Sequence, residues 1–244
     1  MNESIKIQNA LILMNGISLK TNRGSLGYCN VTLIENEDSF IIFDTGHYGD
    51  RGILLEAFQK HKIPIDKVKY VILSHLHYDH CSNISVFPKA TIILSEEELN
   101  YGKKVLEGSI IDNGYPIEIL EHLIYKCKYL TVRDAFELSP NLLIFESPGH
   151  TNGSISLYIK NTDPMVISGD AVINGEDFKL GQTSILCPNS SIQKIKDSYD
   201  KIKKIGKIII PGHGLPFWNT NNNLKYIGDF KLKLYKPSPI KFNK

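Results

Sequence analysis

The sequence lacks the features that would send a chain to a membrane, a secretory route or a polyanion. No apolar run approaches the roughly 20 residues needed to span a bilayer. The first residues, Met1-Asn2-Glu3-Ser4, carry no basic region followed by a long apolar one, so no signal peptide is expected. There is no CxxC pair. The four cysteines, Cys29, Cys81, Cys127 and Cys187, are scattered, which fits reduced thiols better than a disulfide framework. Charge of either sign is not in excess: the formal net charge is +2, too small to argue by itself for a nucleic-acid partner. These absences lead to the expectation of a cytoplasmic protein with no membrane partner. What remains is ordinary for a globular chain, with 42% hydrophobic and 22% charged residues. The 244 residues suffice for a large core. A single domain over 1–244 is expected, with its core at about 5–216 and a Lys-rich tail, 219–244, that wraps the outside or is partly loose.

What is present in excess is histidine in one place. Ser74-His75-Leu76-His77-Tyr78-Asp79-His80 puts three imidazoles and a carboxylate within six positions, directly after the apolar run Val71-Ile72-Leu73. That run reads as a buried strand, so the cluster sits where a strand gives way to its connection. Four polar side chains this dense cannot all be buried without partners. A divalent cation supplies the partner, because neutral imidazole and carboxylate are first-choice ligands for Zn²⁺ and similar ions. From an extended segment His75 and His77 reach one point, while Asp79 and His80 point elsewhere. Two neighbouring metals are therefore suggested. Cys81, next to His80, is expected to pack beneath the loop and not to act as a nucleophile.

The same context recurs along the chain. Residues 5–20 and 26–34 read as strands about a polar turn at 21–25, and Phe40–Phe43 returns as a strand ending in Asp44-Thr45-Gly46-His47. Asp44 either orients a ligand histidine or is an Asx turn residue. His47 faces a pocket or a surface loop. Residues 50–61 have helical spacing, with Asp50 as candidate cap, and Val68–Leu73 is the strand that delivers the histidines. Residues 90–94 form a strand, Ser95 with Glu98 resembles a capping box, and 101–115 reads as an irregular loop over the site. A helix over 116–125 and strands over 136–138 and 142–145 lead to Ser147-Pro148-Gly149-His150. Strands over 155–159 and 165–167 lead to Ser168-Gly169-Asp170. A helix over 190–205 ends at Gly206, and its lysines form a solvated face in preference to a nucleic-acid stripe. The strand 207–210 ends in Pro211-Gly212-His213. Alternating strands and helices imply layered α and β structure.

His75-x-His77-x-Asp79-His80, followed by Gly149-His150, Gly169-Asp170 and Gly212-His213, with Asp44-Thr45-Gly46 upstream, resembles the five-motif signature of the metallo-β-lactamase-fold hydrolases, in order, over about residues 30–216. The resemblance implies an α+β fold, a four-layer αβ/βα sandwich with metals at one edge. It implies that His75, His77 and His150 hold one metal, that Asp79, His80 and His213 hold a second, and that Asp170 bridges both. Zinc is the expected metal of the pair, with iron, manganese or cobalt as alternatives. Two such cations, about 3.5–4 Å apart, would share a hydroxide that attacks a small ester, lactone, thioester or amide. Asp79 is the candidate catalytic residue that orients it.

A small-molecule substrate is the expected partner; a homodimer is compatible with the sequence. The alternatives are a metal-dependent nuclease or phosphodiesterase and a mononuclear-iron persulfide dioxygenase. His77 stands where flavodiiron relatives carry an acidic residue, which disfavours that branch. The lactonases resemble the chain in length and motif order. They usually carry a Tyr shortly after the bridging Asp, and Asp170-Ala171-Val172-Ile173 has none.

Overall fold

The structure, a computed structural model, describes residues 4–17, 19–22, 24–220 and 224–229. Sixteen strands are described. β1 (Ile5–Ile7), β2 (Ala10–Met14), β5 (Val31–Asn36), β6 (Ser39–Phe43), β7 (Val68–Ile72), β8 (Thr91–Ser95) and β9 (Tyr129–Val132) form one sheet in the order β1-β2-β5-β6-β7-β8-β9. β3 (Lys20–Thr21) and β4 (Gly24–Ser25) make a separate small hairpin. β10 (Ala135–Ser139), β11 (Leu142–Glu146), β12 (Ile155–Ile159), β13 (Met165–Gly169), β14 (Ile208–Pro211), β15 (Phe217–Trp218) and β16 (Lys225–Tyr226) form the second sheet in chain order. β6 through β9 pair in parallel, as do β13 and β14; the other pairs are antiparallel.

The period-two pattern of the strands explains the layering. On β6, Ile41 and Phe43 turn to one side and Ile42 to the other; on β7 and β8, Ile72 and Ile93 part from Val71 and Ile92. The first set meets Ile144, Leu157, Ile167 and Ile210 of the second sheet, so one core lies between the sheets. The second set packs beneath α1 (Arg51–Lys60), α3 (Glu96–Leu106) and α4 (Ile117–Lys126). A third core joins Val166 and Ile209 to α5 (Gly175–Leu180) and α6 (Ile192–Ile205). Helices, sheet, sheet, helices: the four-layer αβ/βα arrangement follows. A one-turn helix, α2 (Tyr78–Cys81), sits at the end of β7.

Several local expectations change. The long strand over 5–20 is broken at Gln8, which takes a left-handed φ of 54°. Asp50 does not cap α1; its carboxylate accepts from the His47 amide in a preceding 3₁₀ turn. α3 runs through 106, so the irregular segment starts later than expected. Gly206 ends α6 in extended backbone, not in the left-handed form. The sequence pattern does not signal β9, α5, β15 or β16. β16 continues the second sheet from the expected loose tail; residues 221–223 and 230–244 of that tail lie outside the described residues. No helix among the described residues is long and apolar enough to cross a membrane.

Candidate metal centre

The parallel pairs decide where the side chains go. β6 and β7 end at one edge of the first sheet, β13 and β14 at one edge of the second, and β11 runs in the same sense as β13 because two antiparallel pairings separate them. Asp44, His75, His150, Asp170 and His213 therefore emerge from strand ends on a common rim. Backbone bonds fasten the two sheets there: the Ile155 amide donates to the Ser74 carbonyl (3.0 Å) and the Asn30 amide to the Gly212 carbonyl (2.7 Å).

All seven expected metal-binding side chains converge, and all are buried. His77 Nδ1 lies 2.9 Å from His75 Nε2 and 3.1 Å from His150 Nε2. Asp79 Oδ2 lies 3.8 Å from His80 Nε2 and 3.5 Å from His213 Nε2. Asp170 stands between these groups. Its Oδ2 is 3.4 Å from His150 Nε2, while its Oδ1 is 3.3 Å from His80 Nε2 and 3.2 Å from His213 Nε2. Each trio can place its donor atoms about one ion.

The outer atoms are fixed by hydrogen bonds that set the tautomers. His80 Nδ1 donates to Asp44 Oδ2 (2.8 Å), and His213 Nδ1 donates to the Tyr28 carbonyl (2.7 Å). Ser74 donates its amide to Asp44 Oδ1 (2.7 Å) and its hydroxyl to Oδ2 (2.8 Å), so Asp44 acts on His80 and is not merely a turn residue. His75 Nδ1 lies 2.9 Å from the Ser74 oxygen that accepts from it. The lone pairs of His75, His80 and His213 thus face the cluster. Asp44 holds this position at φ 58°, a left-handed conformation that costs a side-chain-bearing residue about 1–2 kcal/mol.

Two observations fit a pair of divalent cations. His80 Nε2 and Asp170 Oδ1 are buried, face the cluster and have no hydrogen-bond partner among the described residues. The donors are imidazole and carboxylate only, the chemistry of Zn²⁺ and its neighbours. The charges also separate. Burial, with neighbouring imidazoles, pushes His75 and His77 well below the ordinary histidine value, as neutral ligands require. Burial opposes charge on Asp170, yet His213, His80 and His150 hold its carboxyl well below the usual range. Burial likewise opposes charge on His80 and His213, but Cys29, Asp170 and Asp79 push His80 well up and Asp170 and Asp79 push His213 up, so a cation at these two imidazoles would have to displace their protons.

A cavity of about 710 Å³ opens onto the cluster. His77, Asp79, His150, Asp170 and His213 form its floor; Ile17, Leu19, Ile111, Ile185 and Leu186 supply apolar walls. The segments after α3 and α5 line it, and the first of them belongs to the 101–115 stretch expected over the site. His47 does not join the cluster: it is half-buried, accepts from the Gly49 amide and stands edge-on to Tyr28 and Tyr78. Cys81 is buried beneath the loop, its thiol donating to the Leu76 carbonyl (3.4 Å). Two supporting residues escaped the sequence reading. Asn30 donates to the Pro211 and Gly214 carbonyls (2.8 Å each) and accepts from Gly16, which fixes the His213 turn. Glu98 looked like half of a capping box; Ser95 does cap its amide, but its carboxylate goes elsewhere.

The chain is similar to known proteins in sequence and in fold. Residues 24–113 match the model of the metallo-beta-lactamase superfamily. The chain is similar to metallo-beta-lactamase domain-containing protein 1 of Xenopus laevis, 28% identical over 190 residues that cover 77% of this chain and 71% of that protein. It is also similar to N-acyl homoserine lactonase of Bacillus thuringiensis, 29% identical over 154 residues, 62% of this chain and 57% of the lactonase. In fold it resembles the crystal structure of a putative metallo-beta-lactamase from Thermotoga maritima, with a TM-score of 0.67, 22% identity, and coverage of 86% of this chain and 98% of that one.

Proposed function

We propose that the chain is a metallo-β-lactamase-superfamily protein and a metal-dependent hydrolase with a dinuclear centre, acting on a small ester, lactone, thioester or amide; the match of residues 24–113 to that superfamily's model and the likeness in fold support this reading. The observation that carries this reading is the split of the Asp170 carboxylate, one oxygen toward His150 and the other toward His80 and His213. That is the arrangement a bridging ligand needs. His75, His77 and His150 would hold one cation and Asp79, His80 and His213 the other, with zinc as the expected metal. Such a pair, when bound, lowers the pKa of a shared water to roughly 7 and polarises a substrate oxygen.

The chain's own groups do the rest. Asp79, at the cavity floor, is placed to orient the attacking water through its carboxylate and to hold the proton that the leaving group takes. Asp44 keeps His80 in one tautomer and one orientation. The apolar walls at Ile17, Leu19, Ile111, Ile185 and Leu186 suit an acyl portion, whereas among the described residues lining the opening the acidic groups Asp112, Glu176 and Asp177 outnumber the cation Lys20. That balance repels a polyanion and favours the small acyl substrate over RNA or a phosphodiester. The named lactonase relative points the same way.

The test is a panel of lactone, thioester, ester and phosphodiester substrates assayed on zinc-loaded protein, with and without chelator. Hydrolysis of an acyl substrate should vanish on chelation and return with zinc. His75→Ala and Asp170→Ala should each lose at least about 100-fold, more than the loss of an outer partner of a ligand costs. Full activity in either variant, or activity on phosphodiesters alone, would overturn the proposal.

A further inference from the structure

One buried carboxylate is not part of the cluster. Glu98 lies at the third position of α3, is fully buried, and has no ion-pair partner among the described residues. Burying a carboxylate without a cation is costly, and a site selected for packing alone would carry an apolar side chain. What compensates is a set of donors drawn from three separate segments. The Leu76 amide (2.9 Å) and the Tyr115 hydroxyl (2.7 Å) donate to Oε1, and the Thr151 hydroxyl donates to Oε2 (2.7 Å). The first turn of α3 adds its aligned amides.

Each donor adjoins a member of one trio. Leu76 lies between His75 and His77, and Thr151 follows His150. Tyr115 stands edge-on to the His77 ring, with centroids 5.1 Å apart. No donor among the described residues comes from the His213 turn, and within the 75–80 stretch the donor is Leu76, between His75 and His77 and not beside Asp79 or His80. The contact is also close in the backbone. Ser95, the cap of α3, donates its hydroxyl to the Gly153 carbonyl (2.6 Å), and a Cβ on Gly153 would lie 2.3 Å from the Glu98 amide nitrogen. The β7 loop and the β11–β12 loop are thus tied to one side chain from a different layer.

We infer that Glu98 is a positioning residue that holds the His75–His77 part of the β7 loop and the His150 loop in register, and so sets the affinity of the first cation site more strongly than that of the second. The inference rests on the dinuclear reading given above. A Gln at this position keeps an acceptor for the Leu76 amide and can donate to the Thr151 oxygen; an Ala cannot do either.

The test is stepwise Co²⁺ binding to metal-free protein, read by competition with a chromophoric chelator, with the step lost in His150→Ala marking the first site. Glu98→Ala should weaken that step about 10–100-fold and leave the other within about twofold, while Glu98→Gln should stay within about threefold of wild type. Thr151→Val removes a single donor with little change of shape, and should weaken the same step about 3–10-fold if Glu98→Ala does not fold. Unchanged affinity in the folded Glu98→Ala or Thr151→Val protein would overturn the inference, as would equal weakening of both steps. Wild-type protein that takes up no cation would instead bring down the hydrolase reading, and the inference with it.

Discussion

The least tolerant point of the proposed centre to a single added methyl is Gly212. A Cβ built there lies 1.8 Å from Asp170 Oδ1, where an ordinary contact begins at 3.4 Å. A free carboxylate would swing aside at little cost. This one is held at 3.2 Å from His213 and 3.3 Å from His80, and the Gly169 carbonyl carbon, 2.9 Å from the same Cβ, blocks a backbone response. Gly212→Ala should therefore drive Oδ1 more than an ångström out of the cluster. Overpacking of this kind costs about 1–3 kcal/mol of stability. The functional loss should be larger in relative terms: cation affinity down at least about 10–100-fold, by analogy with losing a partner that orients a ligand. The matched control is Gly52→Ala, exposed on α1 with nothing within 4 Å of the added carbon, which should stabilise by about 0.5–1 kcal/mol through helix propensity alone. Both variants are read by thermal unfolding in chelator and by metal content after dialysis against Zn²⁺. A Gly212→Ala protein that retains two cations and wild-type activity would refute the reasoning.

Other outcomes follow from the surrounding bonds. Asp44→Asn removes the acceptor of His80 Nδ1–H, so the affinity of the second cation should fall about 10–100-fold, measured by the same chelator competition. Asn30→Ala leaves the Gly16 amide and two carbonyls of the His213 turn without their partner, and urea unfolding of the metal-free protein should report a loss of about 1–3 kcal/mol. Burial raises the Glu98 pKa above its ordinary 4.5. The folded chain then binds that proton more tightly than the unfolded chain, and ionisation destabilises the fold at pH above the raised pKa. The stability of Glu98→Gln relative to wild type should accordingly decline as pH falls through the raised pKa toward 4.5, and a difference that is flat across that window would contradict the assignment.

Much of the site was legible because its ligands come in dense or repeated local contexts. His75 to His80 are contiguous, and His150, Asp170 and His213 each follow an apolar strand and a glycine turn. The strand-end rule carries over because β7, β11, β13 and β14 do end on one rim. What could not be read depends on tertiary contact. Glu98 and Ser95 satisfy a capping pattern locally, yet the carboxylate is drawn away by Leu76, Tyr115 and Thr151, none of which is near it in α3. Asn30 precedes a strand without any distinguishing pattern; its partners are about 180 residues further on. Gln8 breaks the first strand in a left-handed turn that the alternation of Ile5, Ile7 and Ile12 conceals. α5, only six residues long, carries no periodicity strong enough to separate it from a loop.

The central claim is that seven buried side chains enclose two cations with Asp170 between them. Anomalous-difference crystallography of the zinc-loaded protein tests it most directly. Two zinc peaks are expected, one among His75, His77 and His150 and one among Asp79, His80 and His213, with a carboxylate oxygen of Asp170 facing each. A map with no peak inside the cluster, or with zinc bound only elsewhere on the chain, would contradict it.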